Sequence, residues 1–67
     1  MTQIDVNGAP CSVPPGQTLT GLLEQLGLSG QGIALAVNRE VVPRQQWPER
    51  RLQQSDRVDI VRAIGGG

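Results

Sequence analysis

The stretch TLTGLLEQLGL, residues 18–28, places Leu19, Leu22, Leu23 and Leu26 at i, i+3, i+4 and i+7. That spacing gathers them into one apolar stripe along an α-helix. Thr18 stands where its hydroxyl caps the first turn. Gly27 stands where a helix end wants a left-handed residue, and Leu28 then falls where it closes over Leu23. Gly21 weakens the helix by about 1 kcal/mol relative to Ala and is expected on its polar side.

Outward from this helix the pattern changes to strands. Upstream, TQIDV at residues 2–6 alternates polar and apolar, a half-buried strand with Ile4 and Val6 inward. Asn7-Gly8 tolerates positive φ at both positions and reads as a type I′ hairpin turn. PCSV at residues 10–13 returns as a second strand, with Pro10 suited to an edge because it lacks an N–H. Downstream, residues 28–32 form a loop and IALAV at 33–37 a third strand, with Ile33, Leu35 and Val37 on one face. Asn38-Arg39 is a turn, Glu40-Val41-Val42 a short fourth strand, and Pro43 its end. Residues 44–54 are polar apart from Trp47 and Leu52 and read as a turn or short 3₁₀ piece. Gln54-Ser55-Asp56 is a turn signal, and RVDIVRAI at 57–64 is the last strand before Gly65-Gly66-Gly67.

The helix therefore makes the crossover from the first hairpin to the remaining strands, so the first and last strands lie side by side and parallel. One helix across one sheet face buries Ile4, Val6, Val13, the leucine stripe, Ile33, Leu35, Val37, Val58 and Ile60 together. The expected fold is α+β: a β-grasp, ubiquitin-like domain over residues 1–64. It has a mixed four- to five-stranded sheet and a flexible glycine tail at 65–67.

Composition narrows the function. A chain of 67 residues and 7.1 kDa, 37% apolar, builds one thin core and buries only about 60% of its unfolded surface. Cys11 is the single cysteine and there is no histidine, so neither an internal disulfide nor the usual zinc pattern is available. The absence of histidine also removes the ordinary general base near neutrality, and no Ser-His or Cys-His pair can be built. Six arginines offset six acids, and lysine is absent. A neutral chain lacks the basic footprint of a nucleic-acid binder. No apolar run approaches the ~20 residues of a membrane span. The N-terminal residues carry no basic or apolar targeting segment. A cytoplasmic protein, monomeric when free, with no bound cofactor or metal, is the expectation.

Two features invite chemistry. Glycine loses more conformational entropy on ordering than any other residue. Three in a row make a thin arm that presents one group, the Gly67 carboxylate, and threads channels too narrow for a side chain. On the tail alone, a frayed end is an equal reading. The last strand is the second feature. With Val58 and Ile60 toward the helix, Asp59, Val61 and Ala63 point the other way, as do Ala34 and Ala36 of the third strand. That smooth apolar face beside the tail, with Ile64 at its root, reads as a docking surface. Ordinary scattered surface alanine is the alternative. Cys11 has no cationic neighbour in sequence to activate it and reads as a packing residue. Trp47 reads as a cover for one end of the sheet. The glycines at 27, 30 and 32 lack the ending of a phosphate loop.

Val6-Asn7-Gly8, Thr18 with Leu22-Leu23-Glu24-Gln25-Leu26, and Ala36-Val37-Asn38 form one series of motifs. It continues in Val42-Pro43-Arg44 with Trp47 close behind, in Asp56, and in the last strand and its glycines. Through these motifs the chain resembles the ThiS family of sulfur carriers of thiamine biosynthesis. The resemblance implies a carrier and no catalyst. A ThiF-type, ubiquitin-activating-like adenylyltransferase uses ATP to turn the Gly67 carboxylate into an acyl adenylate. Sulfur from a cysteine desulfurase or another donor then displaces AMP, and thiazole synthase draws on the resulting thiocarboxylate. Gly65 and Gly66 would thread the partner sites, and Ala34, Ala36, Val61, Ala63 and Ile64 would dock. A molybdopterin synthase small subunit shares this design but tends to be longer, and the Val42-Pro43-Arg44 segment with Trp47 argues against it. A non-covalent ubiquitin-like interaction module is the alternative from another class.

Overall fold

In chain order the elements are β1 (Thr2–Val6), β2 (Ala9–Val13), α1 (Leu19–Gln25), β3 (Ile33–Val37), β4 (Glu40–Val42), a 3₁₀ turn at Arg44–Gln46, and β5 (Arg57–Arg62). The computed structural model describes residues 1–28 and 32–62. Among these the strands form one sheet in the order β2-β1-β5-β3-β4. β1 and β5 are the parallel pair, with Asp5 beside Arg57 and Val6 beside Val58, and the other neighbours are antiparallel. This is the expected β-grasp order, with five strands.

Both two-residue turns take left-handed conformations. Asn7 and Gly8 have φ of 51° and 83°, and Asn38 and Arg39 have 52° and 69°. Such turns match the right-handed twist of the flanking strands. Pro10 lies on β2, an edge strand of the sheet, opposite Asp5.

The helix is anchored at both ends. Thr18 Oγ1 accepts the Gly21 N–H at 3.1 Å. The segment after the 3₁₀ turn runs back past the helix start, where the Arg50 carbonyl accepts the Leu19 N–H at 3.1 Å and the Trp47 carbonyl the Thr20 N–H at 3.4 Å. Three first-turn N–H groups, which no helix satisfies internally, are thereby paired. Arg50 thus lends its backbone to the fold, and Arg51 forms a β-bridge with Thr18. At the other end Gly27, with φ of 73°, donates to Glu24, and Leu28 donates to Leu23 at 2.8 Å. These are the two bonds of a Schellman ending.

That ending corrects the leucine stripe. Leu19, Leu22 and Leu23 are buried, whereas Leu26 is 39% exposed. Leu26 is the C-cap residue, so it is turned out as the chain reverses. Leu28 packs against the core in its place. Gly21 is half-buried, covered by the Gln17 side chain, which also donates to Gln25 at 3.2 Å.

The core joins Ile4, Val13, Leu19, Leu22, Leu23, Leu35, Val37 and Val58 with Val42, Trp47 and Leu52. Val6, Cys11, Ile33 and Ile60 pack against it, partly buried. Trp47 is 4% exposed and donates its indole N–H to the Val42 carbonyl at 2.9 Å. It therefore closes one end of the core, as expected, with its polar edge satisfied. Trp47→Phe removes this buried hydrogen bond and lowers stability by about 0.5–1.5 kcal/mol, measurable by urea denaturation.

Asp56 is a buried carboxylate that the sequence offered only as part of a turn. Its oxygens accept from Asn38 Nδ2 at 3.1 Å and from the Gln53 N–H at 2.8 Å. Asn38 Oδ1 in turn accepts the Arg57 N–H at 3.0 Å. The β3–β4 turn and the start of β5 are thereby tied together.

Candidate functional site

The sheet face away from α1 is set by strand register. Ala34 lies opposite Val61 and Ala36 opposite Asp59 on the β3–β5 pair. Paired residues share a face, while their neighbours Leu35 and Ile60 take the core face. Val61 is 63% exposed, Ala34 is exposed and Ala36 half-buried. The structure thus brings together three of the residues expected to dock. Ala63, Ile64, Gly65, Gly66 and Gly67 lie outside the described residues.

Val41 extends the patch and was missing from the sequence-derived set. It pairs with Ala36 across β3–β4 and is 73% exposed. In Glu40-Val41-Val42 two adjacent valines give no alternation, so period alone cannot choose which points inward. The pairing of Leu35 with Val42 decides it. Apolar side chains from three strands therefore meet on one open face. Asp59 borders it and pairs with Arg57, Nε to Oδ1 at 3.5 Å. Such a partly solvated pair contributes little to stability and gives the apolar patch a polar rim. An alanine-rich face presents little relief, so a partner's backbone and side chains can approach closely.

The described part of β5 ends at Arg62 on this sheet. Five further residues reach Gly67, a span of at most about 18 Å at ~3.3–3.6 Å per residue.

The remaining chemistry-bearing residues take no part in this face. Cys11 is a half-buried free thiol packed against the core, on the side of the sheet that faces the helix. Among the described residues no group of His, Cys, Asp and Glu could hold a metal ion, and no helix is long and apolar enough to cross a membrane. An open groove of about 360 Å³ runs between α1 and the 3₁₀ turn, lined by Leu23, Leu28, Trp47 and Pro48 with Thr20, Glu24 and Arg44 at its sides. It lies on the helix side of the sheet, behind the Ala34–Val61 face.

Residues 4–67 match the ThiS family. The chain is 40% identical to the sulfur carrier protein ThiS of Escherichia coli over 97% of its own length and 98% of that protein. It is 38% identical to a thiazole synthase of Magnetococcus marinus, covering 97% of this chain and 20% of that longer protein. The crystal structure of a thiamine biosynthesis protein, ThiS, from Geobacter metallireducens superposes with a TM-score of 0.84 at 26% identity, covering 98% of this chain and all of that one. Family match, near-complete relative and superposed fold agree along almost every residue: the chain belongs to the ThiS family.

Proposed function

We propose that this chain is a sulfur carrier of thiamine biosynthesis whose reacting group is the Gly67 carboxylate. The observation that carries the reading is the 40% identity to the E. coli sulfur carrier protein over 98% of that protein. The likeness to part of a thiazole synthase chain supports thiazole synthase as the acceptor, because one sequence then occurs both as a free carrier and joined to that enzyme.

A carboxylate is a poor electrophile, so it must be activated. One Gly67 oxygen attacks the α-phosphorus of ATP, forming a mixed anhydride and releasing pyrophosphate. The terminal sulfur of a persulfide then adds to the carbonyl, and AMP leaves with the former carboxylate oxygen. Cleavage of the S–S bond by a thiol leaves a terminal thiocarboxylate. Its sulfur is a good nucleophile that stays on the protein and is not lost as free sulfide. ATP belongs to the activating ThiF-type adenylyltransferase, and the carrier itself holds no cofactor. A cysteine desulfurase is one source of the persulfide.

In this reading the carrier contributes position and no catalytic group. Ala34, Ala36, Val41 and Val61, with Ala63 and Ile64 beyond them, form the grip. Gly65 and Gly66 enter the partner's channel, where the missing Cβ atoms leave room for close backbone approach. The protein works among cytoplasmic enzymes.

Removing Gly65-Gly66-Gly67 tests the division between domain and tail. The shortened chain is expected to keep its melting temperature while losing all stimulation of ATP–pyrophosphate exchange by the adenylyltransferase. A large fall in melting temperature makes the tail structural, and retained exchange removes the carboxylate from the chemistry.

A further inference from the structure

The β1–β5 ladder continues beyond the end of β1 through a side chain. The Asp5 N–H donates to the Asp56 carbonyl and the Asn7 N–H to the Val58 carbonyl, both at 2.9 Å. Every second residue of β5 faces β1 in this way, so Ile60 is next. By then the chain has turned away at Asn7 and Gly8, and β1 offers Ile60 no backbone partner. The Asn7 carboxamide fills the position. Its Oδ1 accepts the Ile60 N–H at 2.7 Å, and its Nδ2 donates to the Ile60 carbonyl at 3.4 Å. A primary amide carries the donor and acceptor of a peptide group, so this side chain serves as one more residue of strand. On the other flank, β3 pairs with β5 as far as Arg62.

We infer that Asn7 is a positioning residue for the carboxyl-terminal chemistry. It fixes the backbone of Ile60 on the flank that β1 no longer covers, and so sets the line along which β5 delivers Gly67. The inference rests on the reading of Gly67 as the reacting terminus. Its physical basis is orientation. A carrier already gripped through the Ala34–Val61 face must still place one carboxylate carbon in reacting geometry, and errors near 1 Å can cost about a hundredfold in rate. With one flank of β5 loose at Ile60, the bound carrier spends less time in that geometry.

Asn7 also occupies a left-handed turn position, and the two roles separate by substitution. Asn7→Gly keeps a residue at ease with positive φ and removes the carboxamide. Asn7→Asp tolerates the turn and retains an acceptor for the Ile60 N–H. The experiment uses the full chain with its adenylyltransferase and ATP, measures pyrophosphate release against carrier concentration, and works well below each variant's melting temperature. Amide hydrogen exchange at Ile60 is followed in parallel, and a chain ending in a Gly67 carboxamide is the blocked control. The expected result for Asn7→Gly is faster Ile60 exchange, a fall in kcat of roughly tenfold and an unchanged KM for the carrier. Asn7→Asp is expected to keep Ile60 protected and to recover most of the rate. Wild-type kcat in Asn7→Gly, a loss confined to KM, unchanged Ile60 exchange, or an Asn7→Asp chain as slow as Asn7→Gly each overturns the inference. Turnover of the carboxamide chain overturns the reading of Gly67 instead, whereas an inert carboxamide beside a normal Asn7→Gly sinks this inference alone.

Discussion

A chain extended by one alanine after Gly67 is expected to fold normally and to lose about a hundredfold or more in adenylation rate. The added residue carries the reacting carboxylate about 3.5 Å along the chain, and a displacement near 1 Å already costs roughly a hundredfold. Gly66→Val is expected to fail comparably for a different reason. A β-branched side chain is bulky and stiff at χ1, and it must pass where glycine left only backbone. The check is the yield of thiocarboxylate from wild type and both variants, with adenylyltransferase, ATP and sulfur donor in excess. Equal yields from all three would remove the terminus from the chemistry.

Val61→Asp is expected to leave folding intact and to weaken binding to both the adenylyltransferase and thiazole synthase by about a hundredfold or more. Val61 is 63% exposed, so the free protein tolerates a carboxylate there. In a complex that covers Ala34, Ala36 and Val41 the same carboxylate loses its water without gaining a partner. That costs several kcal/mol, at about 1.4 kcal/mol per tenfold in affinity. Ile60→Asp, one residue away, is expected to unfold the protein, since Ile60 packs against the core. Calorimetric titration of both variants into each partner separates the two faces of β5. Unchanged affinity of Val61→Asp for both partners would free this face from any docking role.

Much of this arrangement was legible from periodicity and turn chemistry. Asn7-Gly8 and Asn38-Arg39 announced two-residue turns, and both carry positive φ at each position. The alternation of large and small side chains in residues 33–37, and of polar and apolar ones in 57–60, indicated which side chains face the helix. Period 2 is unambiguous wherever polar and apolar residues truly alternate. It failed at Val41 and Val42, where only strand register distinguishes the two. The leucine stripe overran at Leu26 because helical spacing does not reveal where a helix stops. Gly27 marked the ending, yet the inward role passed to Leu28 through the geometry of the cap. Asp56 and the Asn7 side chain lay beyond pattern reading for another reason. Their partners, Asn38 and Ile60, are distant in sequence and meet only once β5 inserts between β1 and β3. The candidate terminus is a case apart: its glycines are plain in the sequence, but their meaning came through likeness to a family.

Intact-mass measurement of the full chain tests the central claim most directly. The protein is incubated with ATP, the adenylyltransferase, a cysteine desulfurase and cysteine, then weighed before and after fragmentation. The account predicts a gain equal to the difference between one sulfur and one oxygen atom, confined to the fragment that ends at Gly67 and dependent on ATP. Sulfur found on Cys11, or a chain whose mass never changes while a known carrier in the same mixture is converted, would contradict it.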